Sequence, residues 1–260
     1  MAVTFNKVQE DYGWLGNMSP YPVRYDDAWF ATAEHVFQYM RFEGMEPIEF
    51  KDKSGNVTGT ITKEQIKAEL SATRFDLVGD ELAAARRGVT PKVRRFANPL
   101  IAKNVAKSYL KHVRTYKGMT AEKVAEVQEA EAKQDIANMK KVIRLKVAFH
   151  SELIRSLLTT KDDEIIEDVT GRVETRIEKA NEAVQNHTAK HLAALRSGDD
   201  KAIAKASKAL EEAIEKAKNP NHRHDLFWGK AMIDGEWVGE SQLGKLWMEL
   251  RGELKAVLFI

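Results

Sequence analysis

The chain has 260 residues, 43% of them hydrophobic and 31% charged, with a formal net charge of +2 and no cysteine. Length and balance fit one large globular domain or two small ones, with some long, charged helices. The lack of cysteine excludes disulfides, cysteine-ligated zinc and a thiol nucleophile, and no apolar run approaches membrane-spanning length.

Met1 to Glu10 shows no basic segment followed by an apolar run, so a cytoplasmic setting is expected. Val3-Thr4-Phe5 reads as a short strand. Tyr12 to Pro22 is dense in Gly, Pro, Asn and aromatic residues, a composition that suits an ordered loop. Val23-Arg24-Tyr25 and Ala28-Trp29-Phe30, joined by Asp26-Asp27, read as a hairpin. The hairpin leads into a helix over Thr32 to Phe42, with Thr32 placed to cap it. Ala33, Val36, Phe37 and Met40 share one face of that helix; Glu34, Gln38 and Arg41 share another. A carboxylate, an amide and a guanidinium on one stripe, crowded by aromatic residues, need neighbours or a ligand to satisfy them. The plain alternative is a core helix with one surface stripe.

Lys53-Ser54-Gly55-Asn56 reads as a turn, Val57 to Thr62 as strand and Lys63 to Leu70 as helix. Residues 86–118 then hold ten basic residues and no acid. Phe96, Tyr109 and Tyr116 are interleaved with them. A single-sign patch of this kind attracts polyanions, and its binding weakens in salt. The partner is a nucleic-acid backbone or a lone phosphate group; a solvated basic face is the alternative. Asn98-Pro99 opens a helix carrying Lys103 and Lys107 four apart on one face. Thr120 to Thr160 is helical, with Ile136, Met139 and Ile143 on one stripe and Phe149, Leu153, Leu157 and Leu158 on another. Lys146 falls among apolar neighbours and must snorkel or pair. Ile165 to Val169 reads as a short strand.

Residues 172–218 contain no Phe, Trp, Tyr or Met. Helical stripes from Val173 to Leu195 and from Ile203 to Ala217 flank a stop at Arg196 to Asp200, which predicts an inserted antiparallel helical hairpin. Packing, oligomerisation or a protein contact are its expected uses. His187 and His191 have a zinc-compatible spacing but no evident third ligand, so they read as surface histidines and no metal is expected. Asp225-Leu226-Phe227-Trp228-Gly229 sets a carboxylate three residues before a Trp-Gly corner. Trp can stack on a base or sugar and Asp can move a proton; a packed turn is the plain alternative. Ser241 caps a final helix that buries Leu243, Leu246, Trp247, Leu250 and Leu254.

Taken in order, six dispersed segments resemble the NADAR family. Tyr12 to Val23 resembles its SN-(F/M)-SP-x-P loop, Thr32 to Phe42 its SEH-x-(F/Y)-Q-A-x-(K/R)-F helix, and Asn98 to Lys107 its NP-x-x-AK segment. Leu157 to Glu167, Asp225 to Gly229 and Leu243 to Arg251 resemble three further segments. The resemblance implies an α+β, mostly α-helical fold: one NADAR-like domain with short strands over residues 1–171 and 219–260, interrupted by the helical hairpin at 172–218. It also implies N-glycosidase activity without a cofactor. The reaction is hydrolysis of a bond between a base nitrogen and ribose C1, removing ADP-ribose from guanine bases of DNA or RNA. Cleavage of phosphoribosylamino intermediates of riboflavin synthesis is the alternative, and a non-catalytic ADP-ribose or nucleic-acid binding module is a third reading.

The resemblance and the residue chemistry together assign roles. Glu34 is the carboxylate beside the ribose, with Gln38 orienting it; Asp225 is a second acid–base candidate; Trp228 and Trp14 would stack on the base. A lysine that forms a Schiff base with opened ribose is implied. Arg41 stands where many members have lysine, and arginine is not a usable amine at neutral pH. Lys103 is therefore the expected nucleophile, and Arg41 becomes a partner for phosphate or carboxylate. Gly13, Asn17, Lys107, Glu167 and Gly229 complete the expected substrate-binding set.

Overall fold

A computed structural model describes residues 2–71, 98–113, 116, 118–218 and 223–258. Most of the basic run, including Arg86, Arg87, Lys92, Arg94, Arg95, Arg114 and Lys117, lies outside the described residues. In chain order the elements are β1 (Ala2–Phe5), β2 (Val23–Tyr25), β3 (Ala28–Phe30), α1 (Ala33–Met40), β4 (Ile48–Lys51), β5 (Val57–Ile61), α2 (Lys63–Leu70) and α3 (Pro99–Val113). There follow α4 (Ala121–Phe149), α5 (Glu152–Thr159), β6 (Glu164–Glu167), α6 (Thr170–Ser197), α7 (Asp200–Lys218), α8 (Arg223–Trp228), β7 (Ala231–Ile233), β8 (Glu236–Val238) and α9 (Gln242–Leu258). The fold is α+β and mostly helical, as expected. It divides into two compact units, one of residues 3–164 with 246–260, the other of residues 165–245 with Ala2.

In the first unit β2 and β3 pair antiparallel, Val23 opposite Phe30 and Tyr25 opposite Ala28. Asp26 and Asp27 both take positive φ, 48° and 56°, the geometry of a type I′ turn, whose twist matches that of the strands. The next helix, α1, is buried along its whole length, packed by α2, α3, α4 and the β2–β3 hairpin. The plain reading of Glu34 and Gln38 as a surface stripe therefore fails. Thr32 holds the N-cap position with an extended backbone but does not cap with its side chain. Its Oγ1 lies 2.9 Å from His35 Nδ1 instead.

Strand β4 has no counterpart in the sequence reading. It pairs antiparallel with β5, with a register shift at Phe50/Lys51. Thr62 and Gln65 close a capping box on α2, which satisfies two of the orphan amides at the helix start. Asn98 Oδ1 accepts from Leu100 N at 3.0 Å, and α3 buries Ala102, Ala106 and Leu110 at four-residue spacing. Phe149, expected in the core, is exposed at the end of α4, and its ring packs on Trp29 at 5.3 Å. Along α9, Trp247 is fully buried with Nε1 donating to Leu15 O at 2.8 Å. One turn on, the buried Arg251 donates to Thr160 Oγ1 at 2.7 Å and Asp163 O at 2.9 Å.

In the second unit β7 and β8 form a hairpin closed by Asp234 and Gly235, both at positive φ. The backbone from Glu167 to Val169 runs beside Lys230, with Lys230 N donating to Glu167 O and Val169 N to Lys230 O, each at 2.9 Å. Val169, Val173 and Ala231 form a core with Leu226 against it. Helices α6 and α7 make the expected hairpin, and Gly198 ends α6 in the left-handed conformation at φ 68°. Among the described residues no helix is long and apolar enough to cross a membrane.

Candidate active site

The first unit brings together Trp14, Asn17, Glu34, Gln38 and Arg41. Spacings of four and three return Glu34, Gln38 and Arg41 to one face of α1 and its C-terminal turn. Glu34 is only 3% exposed. Its backbone N–H donates to Asn17 O at 2.8 Å. Asn17 Nδ2 donates to Glu34 Oε2, and Gln38 Nε2 donates to Glu34 Oε1 at 2.7 Å. Side-chain amides thus orient both carboxylate oxygens. Gln38 turns its own Oε1 the other way, where Arg41 Nη1 reaches it at 3.3 Å.

Arg41 then forks onto Asp135, Nε to Oδ1 at 3.1 Å and Nη2 to Oδ2 at 3.0 Å, with its guanidinium over the Phe37 ring at 5.6 Å. The carboxylate that Arg41 meets is therefore supplied by α4. A carboxylate held by neutral amides in a protein interior, shielded from water, interacts strongly with a cation developing nearby. That is the chemistry this stripe can offer. Lys103 and Lys107 lie one turn apart on α3, which packs against α1. Lys103 is half-buried and Lys107 exposed. Lys103 has no hydrogen-bond or ion-pair partner among the described residues.

The loop that carries Asn17 is pinned from below by Lys146, a residue absent from the expected site. Lys146 on α4 is fully buried. Its Nζ donates to Trp14 O, to Gly16 O at 2.9 Å and to Ser19 Oγ at 2.7 Å. Three N–H groups thus meet three acceptors. The rings of Tyr21 and Trp247 lie 5.2 and 5.6 Å from the ammonium, close enough for cation–π attraction. Ser19 Oγ donates in turn to Gly16 O at 2.6 Å. Burial lowers the Lys146 ammonium from its ordinary 10.5 to about 7. Of the two alternatives for this lysine, snorkelling and pairing, the structure takes pairing. The partners are loop carbonyls and a hydroxyl more than a hundred residues earlier, which no helical pattern announces. Trp14, half-buried, packs edge-on against Trp247 at 5.6 Å.

The second unit holds Glu167, Asp225, Trp228 and Gly229. Asp225 is buried. Arg176 Nη2 lies 2.7 Å from its Oδ2 and Arg172 Nη1 3.9 Å from its Oδ1. The Arg176 contact is an ion pair without hydrogen-bond alignment, for among the described residues Oδ2 accepts no hydrogen bond. Arg172 also bonds Glu167 Oε1 at 2.5 Å, so one guanidinium links both expected acids. The acids are among the residues expected from sequence and the arginines are not, although a four-residue spacing sets Arg172 and Arg176 on one helix face. Trp228 is nearly buried and edge-on to Phe227 at 5.2 Å.

Two expected glycines have packing reasons of their own. A Cβ on Gly229 would fall 2.4 Å from Glu167 O and 2.5 Å from Val169 Cγ1, and one on Gly13 would fall 2.4 Å from Lys7 O. A groove of about 490 Å³ runs along α6 and α7, floored by Ala180, Ala183, Ala209 and Ala213. It contains none of the expected site residues.

No protein-family model matches the chain, and neither does any curated protein. Among solved structures it is similar to the E. coli protein YbiA, determined by NMR, at 18% identity and a TM-score of 0.43, over 99% of this chain and 87% of that one.

Proposed function

We propose that the chain is an N-glycosidase that removes ADP-ribose from guanine bases of DNA or RNA, with Glu34 as the carboxylate beside ribose C1. The observation that carries this reading is the buried Glu34, with Asn17 and Gln38 amides on its two oxygens. The ordered sequence resemblances and the acid-free basic run support it.

In the reaction the C1–N bond breaks and its electron pair leaves on the base nitrogen, which takes up a proton. Positive charge builds on the ribose, where an oriented carboxylate stabilises it. Water, or first the Lys103 amine, adds to C1. On the amine route the adduct's nitrogen loses a proton, the bond from C1 to the ring oxygen breaks with that oxygen taking a proton, and the resulting imine is hydrolysed by water, which returns the amine. Lys146 has the lowered pKa that amine catalysis wants, but its burial and three donor contacts suit holding the loop, so Lys103 remains the proposed nucleophile.

The test is incubation with ADP-ribosylated guanine oligonucleotide and, in parallel, a phosphoribosylamino pyrimidine, with products identified by mass. Release of ADP-ribose from the oligonucleotide, lost in Glu34→Gln, is the expected result. Turnover of the pyrimidine alone points to the metabolite reading, and turnover that survives in Glu34→Gln removes Glu34 from the site. Tight ADP-ribose binding with no turnover leaves a binding module. Borohydride trapping that labels Lys146, or no lysine, during turnover overturns the Lys103 assignment, and Asp225→Asn tests the second acid.

A further inference from the structure

We infer that the apolar side of the α6–α7 hairpin is a self-association surface, which pairs two copies of this chain antiparallel as a four-helix bundle. The first observation is a missing core. Val173 and Ala213, at the base of the hairpin, are buried, and no described residue between them is. Helices draw most of their stability from a packed apolar face, and two helices alone enclose none here.

The second observation is where the large apolar side chains point. Ile177, Leu192, Leu195 and Ile214 are exposed. At about 100° per residue, Leu195 repeats the direction of Ile177 after five full turns, and Leu192 lies about 60° away. On α7, Ile203, Leu210 and Ile214 fall within about 40° of one another. None of the six lines the alanine-floored groove, which draws on the other side of both helices. The two apolar strips therefore share the opposite side of the hairpin.

The third observation is charge order along the edges of that side. On α6, Glu178 and Arg196 stand on one line, again five turns apart, acid at the base and base at the tip. On α7, Asp200 and Lys218 also stand on one line five turns apart, acid at the tip and base at the base. A second copy laid antiparallel sets Arg196 over the partner's Glu178 and Asp200 over the partner's Lys218, and the reciprocal pairs follow by two-fold symmetry. A parallel copy instead sets α6 over the partner's α7, Glu178 beside the partner's Lys218 and Arg196 beside the partner's Asp200, and the combined reversal at 178 and 196 restores only the antiparallel order. The midpoints of the two lines are His187 and Ala209, and both line the groove. Both edges thus agree on one two-fold axis. Among the described residues neither Glu178 nor Arg196 has an ion-pair partner of its own. A face about 28 Å long and two helices wide buries roughly 1,100 Å² over both copies, just above the 1,000 Å² that a specific interface needs.

Sedimentation equilibrium of the full chain over a wide concentration range tests the proposal, with circular dichroism as the folding control. A monomer–dimer equilibrium is expected. Leu192→Glu with Leu195→Glu, both at exposed positions, should leave helicity unchanged and weaken the dimer at least about tenfold. Glu178→Arg and Arg196→Glu should each weaken it about tenfold, because each replaces two symmetry-related attractions by repulsions. The two combined should restore affinity to within about threefold. A wild-type chain that stays monomeric at every concentration overturns the proposal. So does a dimer indifferent to the leucine pair. Single reversals without effect, or a combination that fails to restore, overturn the antiparallel order.

Discussion

Lys146→Met replaces a fully buried ammonium by an apolar side chain of similar length. In the folded protein burial holds the Lys146 amine at about 7, while the unfolded chain titrates at the ordinary 10.5. Between these values the unfolded chain keeps a proton that the folded chain has released. Stability therefore rises with pH across that window and is lost as pH falls back toward 7; below it, both states are charged and the desolvation penalty is fully present. One proton is worth up to about 1.4 kcal/mol per pH unit, so from pH 7 to pH 9 the wild type should gain roughly 2–3 kcal/mol that Lys146→Met does not.

The substitution also strips the donors to Trp14 O, Gly16 O and Ser19 Oγ, two of them at pH 9, where the neutral amine keeps two N–H groups. Each lost contact costs about 1 kcal/mol, less where Ser19 Oγ still donates to Gly16 O. The variant should be the less stable protein at pH 9, with the gap closing toward pH 7. Urea unfolding followed by tryptophan fluorescence measures this, since the Trp247 ring lies 5.6 Å from the amine. Parallel pH dependences for the two proteins would refute the reasoning. They would mean that the three acceptors outweigh burial and keep the amine charged through pH 9.

Gly229→Ala drives a methyl to 2.4 Å from Glu167 O and should destabilise the second unit by about 1–3 kcal/mol, read as faster hydrogen exchange of the amides of Lys230 and Val169. Asp27→Gly should stabilise the β2–β3 turn by about 0.5–1 kcal/mol, because Asp27 sits at φ 56° and its side chain makes an exposed contact to Arg24 that is worth little; an upward shift in urea midpoint checks it. Asp135→Asn leaves the Arg41 guanidinium without its bidentate carboxylate and should cost about 1–3 kcal/mol, measured by the same unfolding assay.

Much of the local architecture was legible in the chain because its causes are local. Asp26-Asp27 between two short β-prone triplets names a hairpin, the composition of Lys63 to Leu70 names a helix, and the stop at Arg196 to Asp200 between two apolar stripes names the hairpin of α6 and α7. Strand β4 was not legible. Its Ile48-Glu49-Phe50-Lys51 alternates apolar and polar over only two periods, the shortest run that can signal a strand, and pairing with β5 around a bulge is what fixes it. Thr32 has the residue type and position of a cap, but His35 lies one turn away and takes its hydroxyl.

The candidate site divides in the same way. Periodicity alone placed Glu34, Gln38 and Arg41 on one stripe, since side chains three and four apart must share a helix face. Whether that stripe met water was set by the elements that close over α1, whose contacts are not written in its own spacing. The tertiary structure also chose Asp135 for Arg41 and the Asn17 amide for Glu34. It turned Lys146 from an awkward lysine in an apolar stripe into the clamp of the Asn17 loop. Its acceptors are backbone carbonyls and one hydroxyl, and a carbonyl offers the same hydrogen bond whatever residue carries it. Only the fold decides which carbonyl an ammonium meets.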